Sequence, residues 1–153
     1  MGDDMGTFRV TVEIENPARR GERRMLDAVL VDTGAELSWL PAALLESLGI
    51  ERVNNRHFRQ ADGTVLARWT GGVILRVVGI QTWDEAVFAE PGDLILLGAH
   101  SLEGLNLRID PVTKQLIDGG PAPAAAVAPF TVAASRHRPQ SPNWRPAGVG
   151  SFR

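Results

Sequence analysis

The stretch Ala28-Val29-Leu30-Val31-Asp32-Thr33-Gly34-Ala35 drives an apolar strand directly into an acid. A carboxylate beside a buried strand loses solvation, which is costly unless hydrogen bonds or charge compensate. Two readings account for it. In the plainer one, Asp32 caps an Asx-turn and Gly34 takes a positive φ. In the other, the carboxylate is a working group held at the end of a rigid strand. The rest of the chain has to decide between them.

The pattern around this stretch is of short strands. Phe8, Val10, Val12 and Ile14 alternate with polar residues at the period of a half-buried strand. "ENPARRGERR" reads as a hairpin connection, and residues 25–31 return to deliver Asp32. "PAALLESLGI" reads as a short helix, with Pro41 in its first turn, Leu44, Leu45 and Leu48 on one face and Gly49 at its end. Residues 56–61 and 65–78 read as strands joined by "ADGT", with Asp62-Gly63 as a two-residue hairpin turn. A strand over 83–89 follows, then "DLILLG", a continuous apolar run expected of a strand buried on both faces. "AHSLEGLN" suits a second short helix, and "LRIDPVTKQLI" a hairpin turning at Asp110-Pro111. Many short strands and two small helices predict a mainly β fold, a barrel or sandwich.

A chain of 153 residues suits one folded domain. Residues 1–118 hold all 18 acids against 12 of the 16 Lys and Arg, a net charge of −6. Residues 119–153 hold no acid, four arginines (136, 138, 145 and 153) and six of the ten prolines. The expected organisation is therefore a domain over 1–118 and a basic Pro/Ala-rich tail over 119–153. That tail has too little apolar surface to offset its ordering entropy, except in the extended stretch 127–134. This stretch fits an interface strand, a cleft ligand or a self-processing site. Cysteine is absent, which excludes disulfides, thiolate metal sites and cysteine nucleophiles. "MGDDMGTFRV" has neither a basic n-region nor an apolar h-region, and no apolar run reaches membrane-span length, so the expected location is the cytoplasm.

The deciding feature is "LILLGAHSLEGLNLRID", in which Gly98 stands 66 residues after Asp32. An apolar strand ending Leu96-Leu97-Gly98, followed by a short helix, pairs with "VLVDTGAELSWL" in a pattern that resembles the retropepsin-like aspartic proteases. The resemblance spans about residues 7–118, and the flap tip "ADGT" is closer in style to bacterial members of that clan than to viral ones. It implies a closed acid-protease barrel with a flap hairpin and one half-site per chain. Asp32 would be the catalytic acid, and Thr33, Gly34 and Ala35 would support its loop. Thr33 would point away from substrate and hydrogen-bond to its symmetry mate. Leu96, Leu97 and Gly98 would cross behind the loop, while Glu36 and the flap tip Ala61, Asp62, Gly63 and Thr64 would touch substrate. Trp69, just after the flap, is a candidate cleft wall. Viral members carry Asp where Glu36 stands and often Arg after the Gly, where this chain has Ala99-His100, so their internal salt bridge is missing here.

Peptide hydrolysis in this class uses two carboxylates that share a proton and titrate as a unit. The chain has no second Asp-Thr-Gly; Asp93 and Asp110 read as turn residues, and Asp27 and Asp62 also lack the strand-then-Thr-Gly context. The resemblance therefore implies a homodimeric aspartic endopeptidase acting on polypeptide in extended conformation. The alternative is a non-catalytic binding or dimerisation module that keeps the fold. No cofactor or metal is expected, since His57, His100 and His137 lack ligand spacing. Ser101 does not stand in a nucleophile elbow and reads as structural. Gly71-Gly72 reads as a bulge and Trp39, Trp69 and Trp83 as core or interface residues. No nucleic-acid or membrane partner is expected, because the arginines are widely spaced with no stacking platform.

Overall fold

Alternation decides the first strand. β1 (Arg9–Asn16) buries Val12 and Ile14 completely and turns Arg9 and Thr11 outward, but at its end Glu15 and Asn16 are buried as well. The computed structural model describes residues 8–124. The chain divides into two units, Met1–Pro121 and Ala122–Arg153, and the first holds every strand and helix of the described residues. The stretch 127–134 and the four tail arginines lie outside the described residues.

The remaining elements are β2 (Arg19–Val31), β3 (Ser38–Pro41), α1 (Ala42–Ser47), β4 (Asn54–Arg59), β5 (Val65–Val77), β6 (Ile80–Ala89), β7 (Leu96–Leu97), α2 (Ala99–Leu105), β8 (Leu107–Asp110) and β9 (Gln115–Asp118). The fold is mainly β with two short helices, as the sequence predicts. Seven strands form one sheet in the order β1-β2-β7-β3-β6-β5-β4, and β1 also pairs with β5 through Glu13–Arg76, Ile14–Leu75 and Glu15–Ile74. The pairings thus run from β1 round to β5 and back, with β4 outside as the partner of β5 alone. β8 and β9 form a separate hairpin. The core collects Ile14, Leu40, Leu45, Leu48, Leu75, Phe88, Leu97 and Leu105 from both helices and the inner faces of the strands.

Several expectations need correction. The charged run after β1 is not a long connection. The turn is only Pro17-Ala18, and residues 19–24 continue β2 as an exposed ladder. The reason is Glu15, which is fully buried. It accepts the Gly21 N–H at 2.5 Å and lies 3.2 Å from Arg20 Nε and 2.7 Å from Arg76 Nη2. The Gly21 N–H foremost, then Arg76 and Arg20, lower its carboxyl to about 2 against the opposing effect of burial. "DLILLG" yields only the two-residue β7, since Leu94 is exposed and only Leu96 and Leu97 reach the strands on either side. β3 has no counterpart in the sequence reading, being too short to show a period. Gly71 and Gly72 keep regular register with Ala86 and Glu85, so there is no bulge. Gly71 is instead a close approach: a Cβ there would sit 2.3 Å from the Glu51 carbonyl oxygen. Trp83 is 62% exposed and is no core residue.

The β5–β6 turn, Val78-Gly79, has positive φ at both residues, 45° and 82°. This suits the mirror-image turn of a tight hairpin but not a β-branched side chain, and Val78 is exposed with no packing to offset the strain. Val78→Asn should raise the unfolding free energy by about 1 kcal/mol, read as a higher denaturant midpoint at unchanged slope. An unchanged or lower midpoint would contradict this.

Candidate active site

β2 ends at Val31 and β3 begins at Ser38, and these two strands do not pair with each other. β7 lies between them, parallel to β2 (Leu30–Leu96, Val31–Leu97) and antiparallel to β3 (Trp39–Leu96). The loop that leaves β2 is thus pinned from behind. The peptide group joining Leu97 to Gly98 does the pinning at both ends: its carbonyl accepts the Asp32 N–H at 2.9 Å, and its N–H donates to Ser38 Oγ at 2.9 Å. Two more bonds follow, from Ala99 N–H to the Ala35 carbonyl (2.8 Å) and from His100 N–H to the Glu36 carbonyl (2.9 Å). No side chain fits at Gly98, because a Cβ would lie 2.5 Å from the Leu37 carbonyl oxygen and 2.9 Å from that of Ala35.

The turn and the open carboxylate coexist at Asp32. Gly34 N–H donates to Asp32 Oδ1 at 2.8 Å, an Asx-turn contact, although Gly34 does not take a positive φ. A Cβ at Gly34 would press to 3.1 Å from Asp32 Oδ1, so glycine here keeps the backbone close to the carboxylate. Asp32 is half-buried and opens onto a cleft of about 860 Å³.

The floor of the cleft is Asp32 with Gly34, Ala35, Glu36 and Leu37, and its roof is β4 with Gln60, Ala61 and Asp62. Trp39, Phe58, Leu66, Leu94 and Leu96 give it apolar walls, with Trp39 and Phe58 edge to face at 5.2 Å. Arg68 of β5 ties the hairpin to the rim by a bidentate pair with Asp93, at 2.7 and 3.0 Å. Arg68 in turn holds the Asp93 carboxyl below its ordinary range. Asp93 also accepts the Glu90 N–H, and Asp110 accepts that of Val112, so both are turn residues as expected.

The structure brings Asp32, Gly34, Ala35, Glu36, Ala61, Asp62 and Leu96 together around one cleft. Thr33 lies on the other side of the loop, in a second hollow of about 510 Å³ shared with Phe8, Leu102, Leu107 and Ile109. Leu97 and Gly98 lie behind the loop. Gly63, Thr64 and Trp69 are absent from the cleft lining, and Trp39 takes the wall position expected of Trp69. The hairpin turn explains part of this. It is a three-residue loop over 61–63, with Gly63 N–H bonded to the Gln60 carbonyl and Gly63 alone at positive φ (92°). Asp62 Oδ1 accepts from both the hydroxyl and the N–H of Thr64, which together lower its carboxyl, so the Asp62–Thr64 pair serves the turn.

Sequence reasoning missed a buried polar chain behind the loop. Ser38 Oγ and Ser101 Oγ lie 2.5 Å apart, and Ser101 donates to Asp84 Oδ2 at 2.5 Å. Asp84 Oδ1 takes the Glu85 N–H at 2.7 Å and meets His100 Nδ1 at 2.7 Å. The Asp84 side chain is 1% exposed, and Ser38 and Ser101 are fully buried. Ser101 therefore serves a carboxylate rather than a base, which fits a structural role. The available signal was a serine inside two apolar stretches, "LSWL" and "HSLEGL". Among the described residues, no group of three His, Asp or Glu could hold a metal ion.

No protein-family model and no curated protein matches the chain. Among solved structures the chain is similar to the solution structure of Simian Foamy Virus (mac) protease, at 20% sequence identity and a TM-score of 0.43, over 62% of this chain and 91% of that one.

The hydrogen bond and charge of Asp84 raise the His100 pKa, with smaller help from Glu103 and Glu36. A raised histidine pKa contributes stability that is complete below the unfolded value of about 6.5 and is lost as pH rises through the folded value. His100→Gln should therefore destabilise most at mildly acidic pH, and the gap from wild type should narrow as pH rises. A gap independent of pH between 5 and 9, in thermal unfolding, would contradict the pairing.

Proposed function

We propose that this chain is a homodimeric aspartic endopeptidase of the retropepsin type. The observation that carries the reading is the Asp32 carboxylate, fixed from behind by β7 and set on the floor of a cleft roofed by a β-hairpin. Cleft and hairpin suit a polypeptide bound as an added strand, with alternate side chains entering the apolar walls.

The chemistry needs a second acid. Of the other carboxylates at the cleft, Asp93 is committed to Arg68 and Asp62 to Thr64, and Glu36, exposed on the floor, is assigned to substrate rather than to the acid pair. A second copy supplies the missing group as its own Asp32. One carboxylate of the pair takes a proton from water while the other gives its proton to the scissile carbonyl oxygen. The resulting hydroxide adds to the carbonyl carbon, and the gem-diol collapses as the leaving nitrogen is protonated. The hollow on the far side of the loop, where exposed Thr33 lies beside Phe8, Ile109 and the charged Glu103, Arg108 and Lys114, leaves Thr33 free to meet a second copy.

Asp32→Asn is isosteric and should lower kcat on an unstructured protein substrate by about a thousandfold, with fold and dimer intact. Activity above a tenth of wild type would overturn the assignment, and a wild type with no peptidase activity would favour the binding-module alternative. Specific activity should fall on dilution as dimers part, and Thr33→Val should move that fall to higher protein concentration. A fully active monomer by sedimentation would end the dimer reading.

A further inference from the structure

The buried chain behind the loop has a direction. Ser101 has one hydroxyl proton and gives it to Asp84, so between the two serines Ser38 must donate and Ser101 accept. Ser38, having spent its own proton, accepts from Gly98 N–H. That N–H belongs to the same peptide group whose carbonyl accepts the Asp32 N–H. The bonds therefore point one way, from Asp32 N–H through the 97–98 peptide, Ser38 and Ser101 to the Asp84 carboxylate. Hydrogen bonds in such a row polarise one another, most where the surroundings are dry. Here both serines are fully buried, and the terminal carboxylate is held by the Glu85 N–H and by His100.

A carboxylate buried this deeply has a cost that a merely structural filler would avoid. An apolar pair at 38 and 101 would pack the same space but leave the Gly98 N–H without a partner. We propose that Asp84, Ser101 and Ser38 are positioning residues for Asp32, acting through the Leu97–Gly98 peptide to fix the backbone that carries its carboxylate. This rests on the reading of Asp32 as the working acid. None of the three lines the cleft, and all act through the loop. The chain joins three elements distant in sequence: β3 at Ser38, β6 at Asp84 and α2 at Ser101. Substrate binding to the cleft walls depends on other residues, so the effect belongs to the chemical step.

Two measurements on the full-length protein test this. By NMR, Ser101→Ala should move the Gly98 and Asp32 amide protons upfield and speed exchange of the Asp32 amide by about tenfold, while the amides of Val73 and Leu75 in β5 stay unchanged. With a peptide substrate, the same variant should lower kcat roughly tenfold to a hundredfold and leave KM within twofold. Adding Asp84→Asn to Ser101→Ala should then cost little more in kcat, since the row is already broken. Unmoved Asp32 and Gly98 amides would overturn the proposal, as would unchanged kcat or independent, multiplying losses in the double variant. If Asp84→Asn does not fold, Ser101→Ala decides alone. If the wild type has no peptidase activity, the amide measurement still decides the coupling, and the failure then belongs to the protease reading.

Discussion

One peptide group, between Leu97 and Gly98, holds the site together. It closes the gap between two strands that do not meet, and it spends both of its hydrogen-bonding groups on the loop that carries Asp32: the carbonyl on the Asp32 N–H, the N–H on Ser38. The close approach of that loop then forbids a side chain at Gly98. The rest of the site depends on this contact. β7 needs only two residues because its task is to wedge rather than to extend a sheet. Leu94 is left free to line the cleft because the strand starts after it.

The fold handles buried charge in two different ways. Glu15 is neutralised locally, by a backbone N–H and the guanidinium groups of its own hairpin and of β5. The result is a junction of β1, β2 and β5 at the end of β2 opposite the loop. Asp84 is instead satisfied by the Ser101 hydroxyl, the Glu85 N–H and the His100 imidazole, and Ser101 connects it through Ser38 to the peptide behind the loop. A carboxylate of the first kind, its pKa lowered in the fold, contributes stability above its unfolded value that is lost as the pH falls through the folded one. One of the second kind also orders the backbone at the end of its chain of bonds.

Much of this was legible in the sequence. The meeting of the apolar strand that runs into Asp32 with the Leu96-Leu97-Gly98 stretch was legible through their joint resemblance to a known family pattern, and the structure sets the two strands side by side. The first helix was visible from its Leu spacing and from Gly49, although Pro41 closes β3 and caps α1 rather than standing in its first turn; the second was read from its place after the Leu-Leu-Gly stretch, and Asp110 declared its turn. What stayed hidden depends on contacts between distant segments. Ser38 and Ser101 showed only as serines within largely apolar stretches and Asp84 not at all, since each has its meaning from the other two. The place of Trp69 after the flap points to a cleft wall, but Trp69 pairs with Asn55 in the hairpin and Trp39 lines the cleft instead. The ladder of arginines in β2 looked like a loop because its partner, a buried glutamate, is an exception to the usual burial rule.

The central claim is that two copies of Asp32 make one site. A peptide inhibitor with a statine-type secondary hydroxyl places that hydroxyl between the two carboxylates, so its stoichiometry reads the architecture directly. Titration calorimetry with native mass measurement of the complex should give one inhibitor per two chains, and no binding to Asp32→Asn. One inhibitor per chain, or tight binding to a monomer, would contradict the account.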